Sequence, residues 1–134
     1  MGSRSPFTPE PFMGLPPRWR VSDLTPSYST PVSVVAATTV AVTSAAMNPQ
    51  ANSIELYPQF SNGDTTCTIE VLNDDGTGTF NVVATFNSVS LFNASSCVVG
   101  EWPQGISLGG RAVKIAVSNI TGTGTVTVLL QRLN

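Results

Sequence analysis

Apolar and polar residues alternate along the chain from residue 32 onward, with the period of two that a strand with one buried face produces. Segment 66–73, TCTIEVLN, shows the pattern most clearly, since Cys67, Ile69 and Val71 would face inward and the residues between them outward. Short runs rich in Gly, Asn and Asp separate such segments, as turns do. The other predicted strands are 32–42, 53–60, 79–87, 111–119 and 125–133, with weaker segments around VSLF and CVVG.

The alternation also predicts which side chains form the core. In the C-terminal hairpin the inward residues are Val113, Ile115 and Val117 on one strand and Val126, Val128 and Leu130 on the other. On the earlier strands they are Ile54, Leu56, Pro58 and Phe60, and then Phe80, Val82, Ala84 and Phe86. Proline cannot donate a ladder hydrogen bond, so strand 53–60 is predicted to run along a sheet edge or to contain a bulge. Seven or eight short strands, spaced by about 8 to 12 residues, predict an all-β fold, a single antiparallel β-sandwich or jelly roll.

The first 31 residues follow a different pattern. Seven of the ten prolines lie at or before Pro31, and five of them occur in the stretch PFTPEPFMGLPPRWR, residues 6–20. Proline fixes its own φ and disfavours helix in the residue before it, so this segment is expected to be extended. The sequence therefore divides into an extended Pro-rich N-terminal arm, residues 1–31, and a β-sandwich domain, residues 32–134.

The arm carries side chains that are typical of protein interfaces. An extended Pro-rich segment loses less entropy on docking than a Gly/Ser linker does, and aromatic residues and arginine dominate interface hot spots. Two arginines flank a tryptophan in the sequence RWR and could pair with carboxylates of a partner. We therefore expect the arm to lie across a neighbouring protein. The candidate partner-binding residues are Phe7, Phe12, Met13, Leu15, Arg18, Trp19, Arg20 and Tyr28, with Trp102 as a candidate surface contact in the domain.

Composition narrows the classes of partner. Charged residues make up 10% of the chain and the formal net charge is −2, which disfavours nucleic-acid binding because that needs clustered Lys and Arg. No apolar run reaches the length of about 18 residues that a membrane span requires, and prolines interrupt any N-terminal signal sequence. The chain is therefore expected to stay in a cytoplasm or to be packed there into a larger particle.

Catalytic and metal-binding chemistry finds little support in the sequence. The chain has no histidine, which removes the commonest general base and metal ligand, and it has no phosphate loop of the Walker type. Asp74 and Asp75, in DDGTG, are interpreted as turn formers rather than calcium ligands. Cys67 and Cys97 are expected to be buried free thiols, although a single bridge between neighbouring strands is left open. We expect no enzyme activity, no cofactor and no metal.

Two segments, IEVLNDDGTGTFNVVATFN and GRAVKIAVSNITGTGTVTVLLQ, resemble the small β-sandwich proteins of tailed bacteriophage virions. In those proteins a strand is followed by a Gly-rich loop, and a C-terminal hairpin rich in Thr, Gly and Val closes the domain. The likeness covers residues 54–132, and Phe80 occupies the position after the loop where such domains often carry an aromatic residue. The resemblance implies a virion structural protein that is assembled in the host cytoplasm.

Together with the arm, the resemblance predicts a capsid decoration (cement) protein. It would be a homo-oligomer, with a trimer favoured, whose arm binds the major capsid protein or another virion protein. The alternatives are a neck, tail or fibre-adaptor component of a phage particle, and a carbohydrate-binding β-sandwich module. In the carbohydrate hypothesis Trp102, in the loop GEWPQG, would stack against a sugar, with Tyr57 as its aromatic companion.

Overall fold

The computed structural model describes residues 31–93, 97–100 and 107–133, and within them all regular structure is β-strand. Residues 1–30 of the arm and the loop that holds Trp102 lie outside the described residues. The strands in chain order are β1 (Val32–Thr38), β2 (Val42–Thr43), β3 (Ser53–Phe60), β4 (Thr66–Asp74), β5 (Phe80–Ser90), β6 (Val98–Val99), β7 (Val113–Thr121) and β8 (Val126–Leu133). The described part of the chain contains no helix that could cross a membrane.

The strands form two antiparallel sheets of four strands each. The first sheet has the order β1-β8-β3-β6 and the second has the order β2-β7-β4-β5. One hydrophobic core takes side chains from both sheets, including Leu56 and Val128 from the first and Ile69 and Ile115 from the second. A shared core between two antiparallel sheets is a β-sandwich, and the all-β prediction is confirmed to that level.

The alternation predicted from the sequence matches the core of the central strands. The inward-facing residues of β4, β7 and β8 are all at most 4% exposed: Cys67, Ile69, Val71, Val113, Ile115, Val117, Val126, Val128 and Leu130. These strands lie inside the sheets, so each has a neighbour on both sides. The β-branched residues that dominate them pack well on such a pleated, half-buried surface.

Strand β5 departs from the predicted alternation. Its register with β4 shifts between two consecutive pairs, since Val71 lies opposite Ala84 whereas Leu72 lies opposite Val82. Val83 is the extra residue of a β-bulge. The residues of β5 before it therefore face the opposite side of the sheet from the side that the predicted alternation gives them. Ala84 and Phe86 pack against the core as predicted. The prediction that Phe80 and Val82 also face inward is wrong, and Val82 is 50% exposed.

Segment 32–42, predicted as one strand, is divided between the two sheets. Strand β1 pairs with β8 and β2 pairs with β7. Strand β1 has two shifts in its register with β8 before it ends. Near its end Ala37 has a φ of 43°. The prediction that strand 53–60 runs along a sheet edge or contains a bulge is wrong, because β3 lies between β8 and β6 and its register with β8 has no shift. Pro58 is tolerated because β6 pairs with β3 only at Ile54 and Glu55. Proline at that position removes no ladder bond between these two strands.

Hydrogen bonds join two loops at one end of the sandwich, the loop between β3 and β4 and the loop between β7 and β8. The backbone N–H of Gly124 donates to Thr65 Oγ1 at 2.9 Å, and the backbone N–H of Thr123 donates to Asp64 Oδ1 at 3.2 Å. The hydrogen bond from the Thr123 backbone holds the pKa of the Asp64 carboxyl below its usual value. Gly122 and Gly124 of the TGTG turn allow this close approach, since a Cβ atom would lie 2.5 Å from the Asp64 carbonyl oxygen at Gly122 and 2.5 Å from Thr65 Oγ1 at Gly124.

Candidate functional site

The structure shows where the arm joins the sandwich. The predicted partner-binding residues of the arm and Trp102 lie outside the described residues, and the chain enters the described part at Pro31, just before β1. Strand β1 is an edge strand of the first sheet. The surface around its first residue, Val32, is therefore the part of the domain closest to the arm along the chain.

An open groove with a volume of about 330 Å³ lies at this junction. We call it the junction groove. Its lining is Val32, Met47, Asn48, Pro49, Gln50, Leu130 and Arg132. Val32 lies directly opposite Leu130 in the pairing of β1 with β8, and Val32 is 54% exposed although it is apolar. The groove is thus an incompletely covered end of the core, where the first sheet and the loop between β2 and β3 separate.

The groove contains a cation with unused hydrogen-bonding capacity. Arg132 lies opposite Ile54 in the pairing of β8 with β3, so it shares the face on which Ile54 is fully buried. Its Nη1 donates to the carbonyl of Pro49 at 3.5 Å. Its Nε is buried and has no acceptor among the described residues. A buried donor without an acceptor costs free energy, and no described residue offsets this cost at Arg132 Nε.

The loop wall of the groove has a defined backbone geometry. The N–H of Gln50 donates to Asn48 Oδ1 at 2.8 Å, which forms a side-chain-stabilised turn. Gln50 has a φ of 55°, a left-handed conformation that costs free energy for a residue with a side chain. Met47 anchors the loop to β7, since its N–H and carbonyl both bond to Val113. The wall opposite Arg132 is therefore held in place by the second sheet.

A second feature lies on the outer face of the second sheet. Leu72 is opposite Lys114 on one side and opposite Val82 on the other. The Lys114 ammonium lies 4.4 Å from the centre of the Phe80 ring, a cation–π contact. These four side chains form a partly exposed apolar strip bearing one positive charge. The sequence did not predict it, because the bulge at Val83 turns Phe80 and Val82 outward.

Sequence reasoning also missed an exposed apolar pair at the end of β5. Leu91 is 53% exposed and Phe92 is 83% exposed. They occupy a tight turn, in which Asn93 Oδ1 accepts a hydrogen bond from the Ser90 N–H at 2.7 Å and Asn93 Nδ2 donates to the Ser88 carbonyl. The available signal was that VSLF does not continue the alternation of the strand before it. An exposed pair of this kind is a candidate contact surface.

Tyr57, named as an aromatic companion for Trp102, has a hydrogen-bonded environment. Its hydroxyl donates to Glu55 Oε1 at 2.7 Å, and its side chain is half-buried. It lies opposite Leu129 on the outer face of the first sheet. The ring is therefore only partly accessible for stacking against a sugar.

The acidic pair Asp74 and Asp75 has the turn-forming geometry that the sequence predicts. Asp74 Oδ1 accepts the N–H groups of Gly76 and Gly78, each at 2.9 Å. Asp75 Oδ1 accepts from the hydroxyl and the N–H of Thr77, and the hydroxyl bond lowers the pKa of the Asp75 carboxyl. Among the described residues no three Cys, Asp or Glu side chains come together as a metal site would require.

The two cysteines are buried and free, as predicted. Cys67 lies on β4 in the second sheet, and Cys97 immediately precedes β6 in the first. Burial raises the pKa of each thiol to about 11, and for Cys67 the neighbouring Cys97 adds to the effect. The neutral thiols pack in the core as small apolar side chains do.

No family model, curated protein or solved structure matches this chain. A functional assignment therefore depends on the sequence and on the geometry of the sandwich, the junction groove and the two exposed apolar surfaces.

Proposed function

We propose that the protein is a non-enzymatic structural protein of a tailed-phage virion, a capsid decoration (cement) protein whose arm staples neighbouring major-capsid subunits. The observation that carries the proposal is the combination of the arm and its attachment. Thirty-one residues rich in proline and aromatic side chains precede an edge strand of a weakly charged sandwich. An arm that starts at a sheet edge can extend over a neighbouring molecule without disturbing the core.

The order of the strands supports the virion assignment. Eight antiparallel strands in the orders 1-8-3-6 and 2-7-4-5 correspond to the two interleaved Greek keys of a jelly roll, an architecture of viral capsid and lectin domains. We therefore propose that the sandwich is a jelly roll. The low content of charged residues in the chain, 10%, suits a protein that makes extensive contacts with other proteins.

In the proposed mechanism the sandwich and the arm have separate tasks. Sandwich contacts set a homo-oligomer, with a trimer favoured, and each arm buries a line of apolar side chains across a boundary between capsid subunits. Phe7, Phe12 and Trp19 are the main anchors, because aromatic residues dominate interface hot spots. Several arms on one oligomer bind together, so that individually modest contacts give a high avidity. No catalytic step is required.

A binding experiment tests the role of the arm. Full-length protein and a chain of residues 32–134 are incubated with purified shells of the major capsid protein and then pelleted. We expect the full-length protein to pellet with the shells and the truncated chain to stay in solution while keeping its β-sheet circular dichroism spectrum. Equal binding of both chains would remove the arm from the mechanism.

The same chains distinguish the alternatives. Binding to purified neck or tail rings, but not to shells, would favour a neck, tail or fibre-adaptor component. Binding to an oligosaccharide array by both chains, with no binding to any particle, would favour a carbohydrate-binding module.

A further inference from the structure

We infer that the free edge of β5 pairs with β5 of a second copy of this chain, about a two-fold axis at Thr85. The inference concerns one contact between sandwiches and does not depend on the proposed function. Strand β5 is the last strand of the second sheet and, among the described residues, pairs only with β4. It is eleven residues long and contains no charged residue, proline or glycine. An edge strand without these protections is a template for pairing with another strand.

The other three edge strands of the two sheets differ from β5. Strands β2 and β6 are two residues long, and very short edge strands resist pairing. Strand β1 has seven residues, directly follows Pro31 and contains two register shifts. The register of β5 also shifts twice, but between the shifts residues 84–86 pair regularly with β4. This regular stretch is where an added strand would pair.

The backbone groups of Thr85 point to the free edge. The carbonyl of Ile115 accepts from the Ser44 N–H, on the side of β7 that faces β2. The next residue, Ala116, therefore directs its N–H and carbonyl toward β4, because these directions alternate along a strand. Ala116 lies opposite Glu70, and Glu70 lies opposite Thr85. Glu70 thus bonds toward β7, and Thr85 directs its own N–H and carbonyl away from β4, where two copies of Thr85 can exchange two hydrogen bonds.

The side chains of this stretch suit a second copy of the same strand. Residues directly opposite each other in an antiparallel pair share a face, so an axis at Thr85 places Ala84 opposite Phe86 of the second copy. Ala84 and Phe86 are half-buried and pack against the core. The added strand covers both of them and sets a small side chain against a large one twice.

Charge repulsion across this contact is weak. The charged residue opposite Thr85 is Glu70, on β4. In the strand order β4-β5-β5-β4 the two copies of Glu70 are separated by three strand spacings, about 14 Å. This separation exceeds the Debye length of about 10 Å at 0.1 M salt. The contact joins two second sheets into one sheet of eight strands, and dihedral assemblies combine such two-fold contacts with threefold contacts through other surfaces.

Disulfide trapping in the full-length protein tests the position of the axis. Thr85→Cys places two thiols opposite each other at a Cα separation of about 5.5 Å, which a disulfide can bridge. Val82→Cys is the matched control, because Val82 is 50% exposed and its two copies would lie about 20 Å apart. Cys67 and Cys97 are each 1% exposed and do not compete. We expect a cross-linked dimer from Thr85→Cys and none from Val82→Cys. Equal cross-linking of the two variants, or none of Thr85→Cys, would overturn the inference.

Sedimentation equilibrium supplies a second readout that adds no thiol. Thr85→Lys brings two ammonium groups together at the axis, whereas in the single sandwich the new lysine lies opposite Glu70, a favourable pair. We expect the Kd of the two-fold contact to rise by about tenfold or more. Thr43→Lys, on the edge strand β2 of the same sheet, should change it by no more than about twofold.

Three outcomes of the sedimentation experiment would contradict the inference. Equal effects of the two lysine substitutions would remove the contact from Thr85. A wild-type chain that stays monomeric at about 1 mM would show that no specific contact forms. Slow hydrogen exchange at the β5 amides of such a monomer would show that another part of the same chain covers this edge.

Discussion

Gly124 shows how a single side chain could disrupt the contact between two loops. A Cβ atom on Gly124 would lie 2.5 Å from Thr65 Oγ1 and 2.7 Å from the Asn62 backbone nitrogen. The neighbouring loop would have to move and the hydrogen bond from Gly124 to Thr65 would be lost. Gly63, in that same loop, has no neighbour closer than 3.9 Å to such a Cβ.

Gly124→Ala should therefore lower the free energy of unfolding by about 1–3 kcal/mol, the range for overpacking. Gly63→Ala, the matched control, should change it by no more than about 0.5 kcal/mol. Chemical denaturation of both variants measures the difference. Similar values for the two would show that the loops at this end are not in close contact.

The core position of Ile115 and the outward position of Val82 give a second test at the residue scale. Ile115 is fully buried, whereas Val82 is 50% exposed. Ile115→Ala should cost about 2–5 kcal/mol of stability as a core truncation. Val82→Ala should cost about 1 kcal/mol or less, because half of its surface already faces solvent. A larger cost at Val82 than at Ile115 would show that the bulge in β5 is misplaced.

The buried thiols predict how stability responds to alkaline pH. Because burial raises the pKa of Cys67 and Cys97 from 9.0 to about 11, folding favours the neutral thiols. Their contribution to stability is complete below about pH 9 and is lost as the pH rises toward about 11. Unfolding curves across this range should show a loss of stability that is smaller in a Cys67→Ala, Cys97→Ala double variant. Reductant should leave the wild-type curve unchanged, and a loss of stability on reduction would show that the thiols are bonded.

At the scale of the elements, the sequence predicted the strands inside the sheets better than those at the edges. The predicted inward residues of strands β4 and β7 are all buried, so their alternation has a single interpretation. Strand β5 contains Val82 and Val83 in succession, which fits either phase, and the bulge that selects one phase depends on pairing with β4. The junction groove was not predictable, because Met47 and Arg132 are far apart in sequence and are brought together by the strand order.

The arm is the element that the proposed function depends on, and Trp19 is its proposed principal anchor. Trp19→Ala should weaken binding to particles by about 2 kcal/mol or more per subunit, as for a hot spot in a desolvated pocket. Arg18→Ala and Arg20→Ala should have smaller effects, which shrink as salt is added because exposed ion pairs are screened. Titration of each variant against particles at two salt concentrations measures both the loss of affinity and its dependence on salt. An arginine effect that exceeds the Trp19 effect and persists in high salt would assign the anchor to a buried ion pair instead.

We propose that, in the whole molecule, the sandwich is the stable body and the arm attaches it to a partner protein. The two parts differ in composition at residue 31, and the buried residues of the core come from both sheets of the sandwich. Under the proposed function, the number of copies in a particle follows from where the arm binds.

The most direct measurement is therefore the copy number of this protein in purified phage particles, relative to the major shell protein, by densitometry of a denaturing gel. A decoration protein at threefold positions of the shell should be present in hundreds of copies per particle, a number set by the many equivalent sites on a capsid. A count of about six or twelve copies, the number expected for a ring, would contradict the decoration role and indicate a neck or tail component. Absence of the protein from the particles would contradict the virion assignment altogether.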